Sequence, residues 1–242
     1  MKKFFLVLLS IAVAMGSYAQ SDKNIVFDEN AQLRKVGSFS GIEIGGAIDL
    51  YLSQGSEDAL AVSAGTEELL ARIKTEVRGN ILHIYFDGKG MNWRSWGNNK
   101  IKAYVTFKDI KRVEASGACN VKTTGKLLLS ELIIEMSGAS DFTGEADISS
   151  LRIDLSGASV VRIAGKAEKA TFLASGASSI RAYDLITDYC KVDASGASGI
   201  RLHVNKELNA SASGGSSISY KGDGVIRDIS SSGAASVKRR ND

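Results

Sequence analysis

The sequence predicts an all-β protein, a right-handed parallel β-helix (β-solenoid) with coils of about 19–20 residues. Three observations lead to this prediction: a repeated Ser-Gly-Ala-Ser motif, apolar residues that alternate with polar ones around it, and 25 glycines without one proline. Proline lacks the N–H that a β-ladder uses, so dense strand pairing excludes it. Glycine, in contrast, allows the positive φ values of tight turns.

The motif occurs seven times in the second half of the chain, with spacings of 21, 19, 19, 20, 18 and 19 residues. Its copies, of which the last two are degenerate, begin at Ser116, Ser137, Ser156, Ser175, Ser195, Ser213 and Ser232. This period is too short for tetratricopeptide or ankyrin repeats, and the leucine-rich consensus is missing. Short strands wound into coils about 4.8 Å apart fit the period, and the usual hand of parallel crossovers predicts a right-handed coil.

Apolar residues form three columns around the motif. They stand three positions before, one position before and five positions after its first serine, as Ile153, Leu155 and Val161 do in one copy. The residues between them are mostly polar, which is the period-2 alternation of strands. Stacked coils would join these columns into one apolar core that no single coil could bury.

The chain divides into four predicted segments. Residues 1–19 have the pattern of a signal peptide, because Lys2 and Lys3 precede an apolar run and a small-residue cleavage site that ends at Ala19. Residues 20–35 are expected to form a flexible leader. Residues 36–112 are predicted to form a β-rich N-terminal part with an opening coil and a tryptophan-containing loop, and residues 113–242 the repeat β-solenoid.

Local signals within residues 36–112 predict individual elements. Thr66 is expected to cap a short helix. Gly79 and Asn80 form a tight-turn pair between predicted strands at 75–78 and 81–86, and another strand is predicted at 101–107. These elements are expected to cap the hydrophobic end of the solenoid.

The start of this region carries Phe39-x-Gly41-Ile42-x-Ile44-x-Gly46, followed by Ile-Asp-Leu-Tyr-Leu-Ser-Gln-Gly at 48–55. Together with the downstream corners, this signature resembles the head-domain (GIN) family of putative autotransporter adhesins, which is common among secreted proteins of Bacteroides-like Gram-negative bacteria. The resemblance covers nearly the whole mature chain. It implies a β-helical fold and an adhesive role, and it implies no catalytic residues.

Charge and composition restrict the function further. The formal charge of +3 falls to about +1 without Lys2 and Lys3, which gives no electrostatic ground for binding nucleic acid. No later segment is apolar and long enough for a transmembrane helix, and no cofactor is indicated.

Cys119 and Cys190 are expected about three coils, or roughly 14 Å, apart along the axis, which predicts two free thiols.

The corner serines and an acidic column are candidate chemical sites. The chain has only two histidines, His83 and His203, and neither repeats with the serines as a base would, so the corners are interpreted as turn chemistry.

Two positions before three consecutive corners stand the acidic residues Glu114, Glu135 and Asp154. Such a row can bind Ca²⁺ or supply paired acids for glycoside cleavage. However, basic residues on the same face can neutralise it, namely Arg112, Arg152 and Lys191. No metal site is assigned, and cation binding by the column is left open.

A basic column is the first candidate binding site. Arg162, Arg181 and Arg201 stand six positions after three consecutive corners. Stacked guanidinium groups repel one another unless an anion lies across them, and arginine suits bidentate recognition of carboxylate or sulfate. A linear acidic glycan is therefore a reasonable partner, and a solvated polar face is the alternative.

The loop at 87–100 is the second candidate, because it contains Trp93, Arg94 and Trp96. Amphipathic aromatic side chains can stack on a sugar or anchor a protein contact. The alternative is that the tryptophans fold back and plug the end of the solenoid.

Together, these features predict an exported, non-enzymatic binding module, an adhesin that recognises a glycan or a surface protein at the cell envelope. A structural envelope protein that self-associates through its coil ends is the alternative, and a polysaccharide-cleaving β-helix enzyme is the third hypothesis. Export is compatible with the cell surface, the extracellular space and the periplasm. The sequence does not specify the ligand or the oligomeric state.

Overall fold

A computed structural model describes residues 28–90 and 100–240 of the chain. Within these ranges the protein is nearly all β and forms a solenoid of about 7 turns with coils of about 19 residues, which confirms the predicted fold class. The N-terminal elements are β1 (Gln32–Arg34), β2 (Gly41–Gly46), β3 (Ile48–Gln54), β4 (Ala59–Ser63), α1 (Glu67–Arg72), β5 (Ile73–Arg78), β6 (Ile81–Phe86) and β7 (Ile101–Phe107). The repeats contribute β8 (Arg112–Gly117), β9 (Asn120–Met136), β10 (Asp141–Leu155), β11 (Val160–Ala174), β12 (Ser179–Ala194), β13 (Gly199–Ala212), β14 (Ser217–Lys221), β15 (Val225–Ser231) and β16 (Ser236–Arg239).

The repeat strands pair in parallel, each one coil above its predecessor. Asp141 of β10 lies opposite Val160 of β11, and the pairing runs on to Leu155 opposite Ala174. Each corner therefore separates two outer surfaces. We name the outer surface formed by the residues just before each corner the pre-corner face. The outer surface formed by the residues just after each corner is the post-corner face.

The three predicted apolar columns form the core. Val113, Ile134, Ile153 and Phe172 are fully buried in the column before the corners. The columns end at the last coil, where Ile229 is exposed because no further described coil covers it.

The corner glycines stack directly on one another. Gly138 has a φ of +71° and Gly157 a φ of +68°, and the N–H of Ala158 donates to the carbonyl of Gly138 over 2.7 Å. A Cβ on Gly157 would lie 2.5 Å from that carbonyl oxygen. Glycine is required here for two reasons, the left-handed backbone conformation and the close approach of the next coil.

The predicted local elements of the N-terminal part are present. Thr66 caps α1 by accepting a hydrogen bond from the N–H of Leu69, and β5 and β6 form the antiparallel hairpin. Strand β7 has the predicted bounds. Strands β2 and β3 are the opening coil, with β6 and β8 on either side of β2 and β7 and β9 on either side of β3.

The end of the predicted flexible leader, residues 20–35, is structured in the described part. Strand β1 pairs antiparallel with β4, and Asp28, just before it, is held by a partly buried polar cluster. Its carboxylate accepts hydrogen bonds from Tyr104 Oη (2.7 Å), Lys102 Nζ (3.0 Å), Ser63 Oγ (3.0 Å) and the N–H of Asn30 (3.1 Å). Burial by itself would raise the pKa of Asp28, but these hydrogen bonds outweigh it and lower that pKa. The composition of this segment gave no sign of this anchor, because its partners lie on strands far along the chain.

The substitution Asp28→Asn should destabilise the N-terminal end by about 1.5–3 kcal/mol, the usual contribution of hydrogen bonds to a charged group. Because folding lowers the pKa of Asp28, its contribution is present above the ordinary carboxyl pKa and is lost as the pH falls through the lowered value. Hydrogen exchange of β1 and β4 at neutral and acidic pH measures this effect. Glu29→Gln, which changes the exposed neighbouring carboxylate, is the matched control and should leave exchange unchanged.

Candidate functional site

The acidic column on the pre-corner face extends further than the repeat indicates. Glu43 lies in register with Glu114, and Glu114 with Glu135. One strand further out, His83 places its Nδ1 3.1 Å from Glu43 Oε2. Glu43 and His83 could not be predicted from the repeat because neither precedes a Ser-Gly-Ala-Ser corner, although Gly45-Gly46-Ala47 after Ile44 resembles a corner and was a usable signal for Glu43.

Most of this column is neutralised by ion pairs. The Nη2 atom of Arg112 lies 2.7 Å from Glu114 Oε2 and 2.6 Å from Glu135 Oε2, and the Glu114 hydrogen bond raises the pKa of Arg112. Arg152 Nη2 lies 3.0 Å from Asp154 Oδ2. These contacts confirm the interpretation of the column as an ion-paired surface.

Asp193 differs from the other acidic residues of this column. It stands two positions before the corner at Ser195, and neither Asp193 nor Lys191, a basic residue on the same face, forms an ion pair within residues 28–90 and 100–240. A shallow groove of about 250 Å³ runs between Asp154 and Asp193, and serines of successive corners line it, including Ser175 and Ser195. Across the described ranges, no group of three or more His, Cys, Asp or Glu side chains is arranged to hold a metal ion.

The basic column lies on the post-corner face. Arg162 is in register with Arg181, and Arg181 with Arg201, so the three residues follow one another on consecutive coils. Arg162 Nη1 lies 3.2 Å from Asp141 Oδ1. Arg181 and Arg201 are exposed, and neither has a carboxylate partner among the described residues.

Two further cations lie beside this column, and a third belongs to it. The Nζ atom of Lys221 and the Cζ atom of Arg240 lie 5.8 Å and 5.2 Å from the ring centroid of Tyr183, which is two residues after Arg181. The Tyr183 hydroxyl contacts Ser219 Oγ at 2.7 Å, and Ser219 lies between Arg201 and Lys238 in the same column. We name this cluster the basic patch; its members are Arg181, Arg201, Lys221, Lys238 and Arg240.

None of the five cations of the basic patch forms an ion pair within the parts of the chain that the structure describes. Sequence reasoning missed Lys221 and Arg240 because they lie outside the repeated columns. Both lie against the ring of Tyr183, which follows Ala182 at a register shift between β12 and β13. Such a shift produces no periodic signal.

An aromatic pair lies at the other end of the same column. Tyr51 and Tyr104 stack with ring centroids 5.1 Å apart and planes at 17°. Tyr51 is in register with Lys122, so the column runs from a tyrosine pair through Lys122 toward the arginines. Burial and the hydrogen bond to Asp28 raise the pKa of Tyr104, so its hydroxyl stays protonated and fixed to Asp28.

The second predicted site, Trp93, Arg94 and Trp96, lies outside the described residues, and its role stays a prediction. The flanking strands β6 and β7 pair with β2 and β3, which are the two arms of the opening corner at Gly46.

The two cysteines are free thiols, as predicted, and both are buried. Cys119 stands in the column of buried corner serines, where its Sγ lies 3.3 Å from the carbonyl oxygen of Ser116. Burial raises the pKa of the Cys190 thiol to about 12. Neither residue has the exposed, low-pKa environment of a reactive cysteine.

The fold and its surface define a class of protein: a parallel β-solenoid with rows of charged residues on its outer faces. Among the helices that the structure describes, none has the length and apolar character needed to cross a membrane. Residues 38–224 match the family described as "Putative auto-transporter adhesin, head GIN domain", and the chain belongs to this family. The resemblance inferred from the opening signature and the corners is thereby confirmed.

Solved structures support the fold. A putative adhesin from Bacteroides fragilis superposes with a TM-score of 0.79 at 23% identity, covering 87% of this chain and 96% of that one. A putative lipid binding protein from Parabacteroides distasonis superposes with a TM-score of 0.67 at 20% identity, covering 87% of this chain and 96% of that one. A putative adhesin from Parabacteroides merdae superposes with a TM-score of 0.66 at 19% identity, covering 87% of this chain and 95% of that one. Among curated proteins, none matches this chain.

Proposed function

We propose that this protein is an exported, non-enzymatic adhesin that binds acidic glycans at the cell envelope through its basic patch. The observation that carries the proposal is the position of Arg181 and Arg201, which are exposed on consecutive coils without a carboxylate partner in the described ranges. The family supports the adhesive role, and the pattern of residues 1–19 supports export.

Arg181 and Arg201 carry like charges on neighbouring coils. Their backbones lie about 4.8 Å apart, so their like charges disfavour close stacking of the side chains. An anion that lies across both guanidinium groups removes this repulsion and accepts bidentate hydrogen bonds. The pre-corner arginines Arg112 and Arg152 already pair with Glu114, Glu135 and Asp154, whereas the cations of the basic patch form no ion pair among the described residues.

The shape of the site favours a linear polymer. The column runs along the solenoid axis from Tyr51 past Lys122 to Arg181 and Arg201, so an extended chain of sugars can contact charges and an aromatic ring in sequence. Membrane insertion needs exposed apolar side chains as well as cations. Among the described residues, no large exposed apolar side chain lies in the post-corner segments of β9–β14 and β16.

No nucleophilic serine is proposed, because the described residues that line the groove near the corner serines include no histidine. His83 lies against Glu43 at the N-terminal end, and His203 is in register with Lys221. A nucleophilic serine needs a base within hydrogen-bond reach.

The double substitution Arg181→Ala/Arg201→Ala should weaken binding to immobilised heparin or polygalacturonate by about tenfold or more. Each lost charge-assisted hydrogen bond contributes about 1.5–3 kcal/mol. Surface plasmon resonance measures the change, and thermal denaturation should show an unchanged fold.

The matched control is Arg152→Ala, an exposed arginine on the pre-corner face that pairs with Asp154. It should leave glycan binding unchanged. Equal affinities of the double variant and the control would contradict the assignment, and failure of the unsubstituted protein to bind either polymer would contradict the glycan class.

A further inference from the structure

The two ends of the solenoid each present two strands with an unpaired outer edge. At the N-terminal end, β5 pairs only with β6 and β1 only with β4, among the strands that the structure describes. At the C-terminal end, β15 pairs only with β13 and β16 only with β14. Strands β5 and β15 continue the pre-corner side, and β1 and β16 the post-corner side, so the open edges of the two ends match in position.

The ends carry opposite charge. Residues 28–90 contain ten Asp and Glu but only six Lys and Arg, whereas residues 199–240 contain seven Lys and Arg but only three Asp and Glu. At the acidic end, Glu67 and Glu68 lie in the first turn of α1. At the basic end, Lys238 and Arg239 lie in β16.

Both ends also expose apolar side chains. Leu33 of β1 is 63% exposed, and at the other end Val225 of β15 is 60% exposed beside Ile226 and Ile229. Ile229 belongs to a column that is otherwise buried, so the apolar core is open at this end of the described chain. Open strand edges of this kind are templates for pairing with another chain.

We infer that the protein assembles head to tail, with the basic C-terminal end of one copy on the acidic N-terminal end of the next. Strand β15 then lies beside β5 of the second copy, and β16 beside β1 of the second copy. Opposite net charges bring these ends together, whereas a contact between two C-terminal ends would bring Lys238 and Arg239 against the same residues of the other copy. A heterologous contact along one axis leaves a free end on each side and extends into a filament.

The assembly would repeat the basic patch along a common axis. A linear glycan could then contact several copies at once, which raises avidity without any new contact in each copy. The inference itself rests on the ends of the solenoid and holds whether or not the basic patch binds a glycan.

Sedimentation velocity of the purified protein over a range of concentrations tests this inference. We expect larger species to accumulate as the concentration rises at low salt, and to decrease near 1 M salt, where the Debye length is only about 3 Å. Leu33→Lys and Val225→Glu should each abolish the larger species, because each places the wrong charge on one end. An equimolar mixture of the two variants should regain species at least as large as a 1:1 dimer, because one intact C-terminal end and one intact N-terminal end remain.

Leu128→Lys is the matched control, since Leu128 is also 63% exposed but lies in β9, between the two ends. It should assemble like the unsubstituted protein. A monomer at every concentration would overturn the inference. Larger species that persist in Leu33→Lys would show that C-terminal ends pair with each other, and an equal loss in all three variants would show that the contact is not at the ends.

Discussion

The substitution Gly157→Ala should destabilise the solenoid by about 2–5 kcal/mol. Two costs add: an L-residue in the left-handed region costs roughly 1–2 kcal/mol, and forcing an atom into packed structure costs typically 1–3 kcal/mol. Gly157 has a φ of +68°, and a Cβ there would lie 2.5 Å from the carbonyl oxygen of Gly138. This obstacle is backbone of the neighbouring coil, so relief requires the two coils to move apart.

Gly125→Ala separates the two costs. Gly125 also has a positive φ, +80°, but a Cβ there would meet nothing within 4 Å. It should cost only about 1–2 kcal/mol, the conformational part alone. Urea denaturation gives both values as shifts of the midpoint with an unchanged slope. Equal losses in the two variants would mean that the close approach of stacked corners contributes no stability.

The corners also show why so much of this fold could be predicted from the sequence. Every coil meets the same constraints at the same place, so the glycine of each corner and the columns that hold Ile153 and Val161 recur at a fixed period. Even imperfect copies keep these features, because each coil must stack on its neighbours. The Gly79-Asn80 hairpin and the Thr66 cap could also be predicted, because each depends only on residues close together in the sequence.

Contacts between non-repeated residues could not be predicted in this way. Asp28 meets Tyr104, which lies 76 positions later, and Arg240 meets Tyr183 across several strands. Such pairs depend on the register of individual strands, including the shift after Ala182, which no periodic pattern records. The basic column was predictable as a row of residues, but which of its arginines would be free was not. Arg162 is neutralised by Asp141, a residue of a different column on the preceding coil.

Phe172→Ala should cost about 3–5 kcal/mol, the usual range for removing a buried aromatic side chain. Phe172 is fully buried in the column before the corners, between Ile153 of β10 and Val192 of β12. Leu173→Ala is the control, because its side chain lies on the partly exposed outer surface. The control should change stability by well under half of that amount.

The position of the loss is as informative as its size. In a solenoid each coil contacts only its neighbours, and β11 pairs only with β10 and β12 in the described structure, so a cavity at Phe172 should loosen these three strands first. Hydrogen exchange of Phe172→Ala should therefore show lost protection in β10, β11 and β12, while the opening coil, β2 and β3, keeps its protection. Uniform loss along the chain would show instead that the capped N-terminal part and the repeats unfold as one cooperative unit. In that case, the capping strands β4 and β5 would stabilise coils far beyond those that they contact.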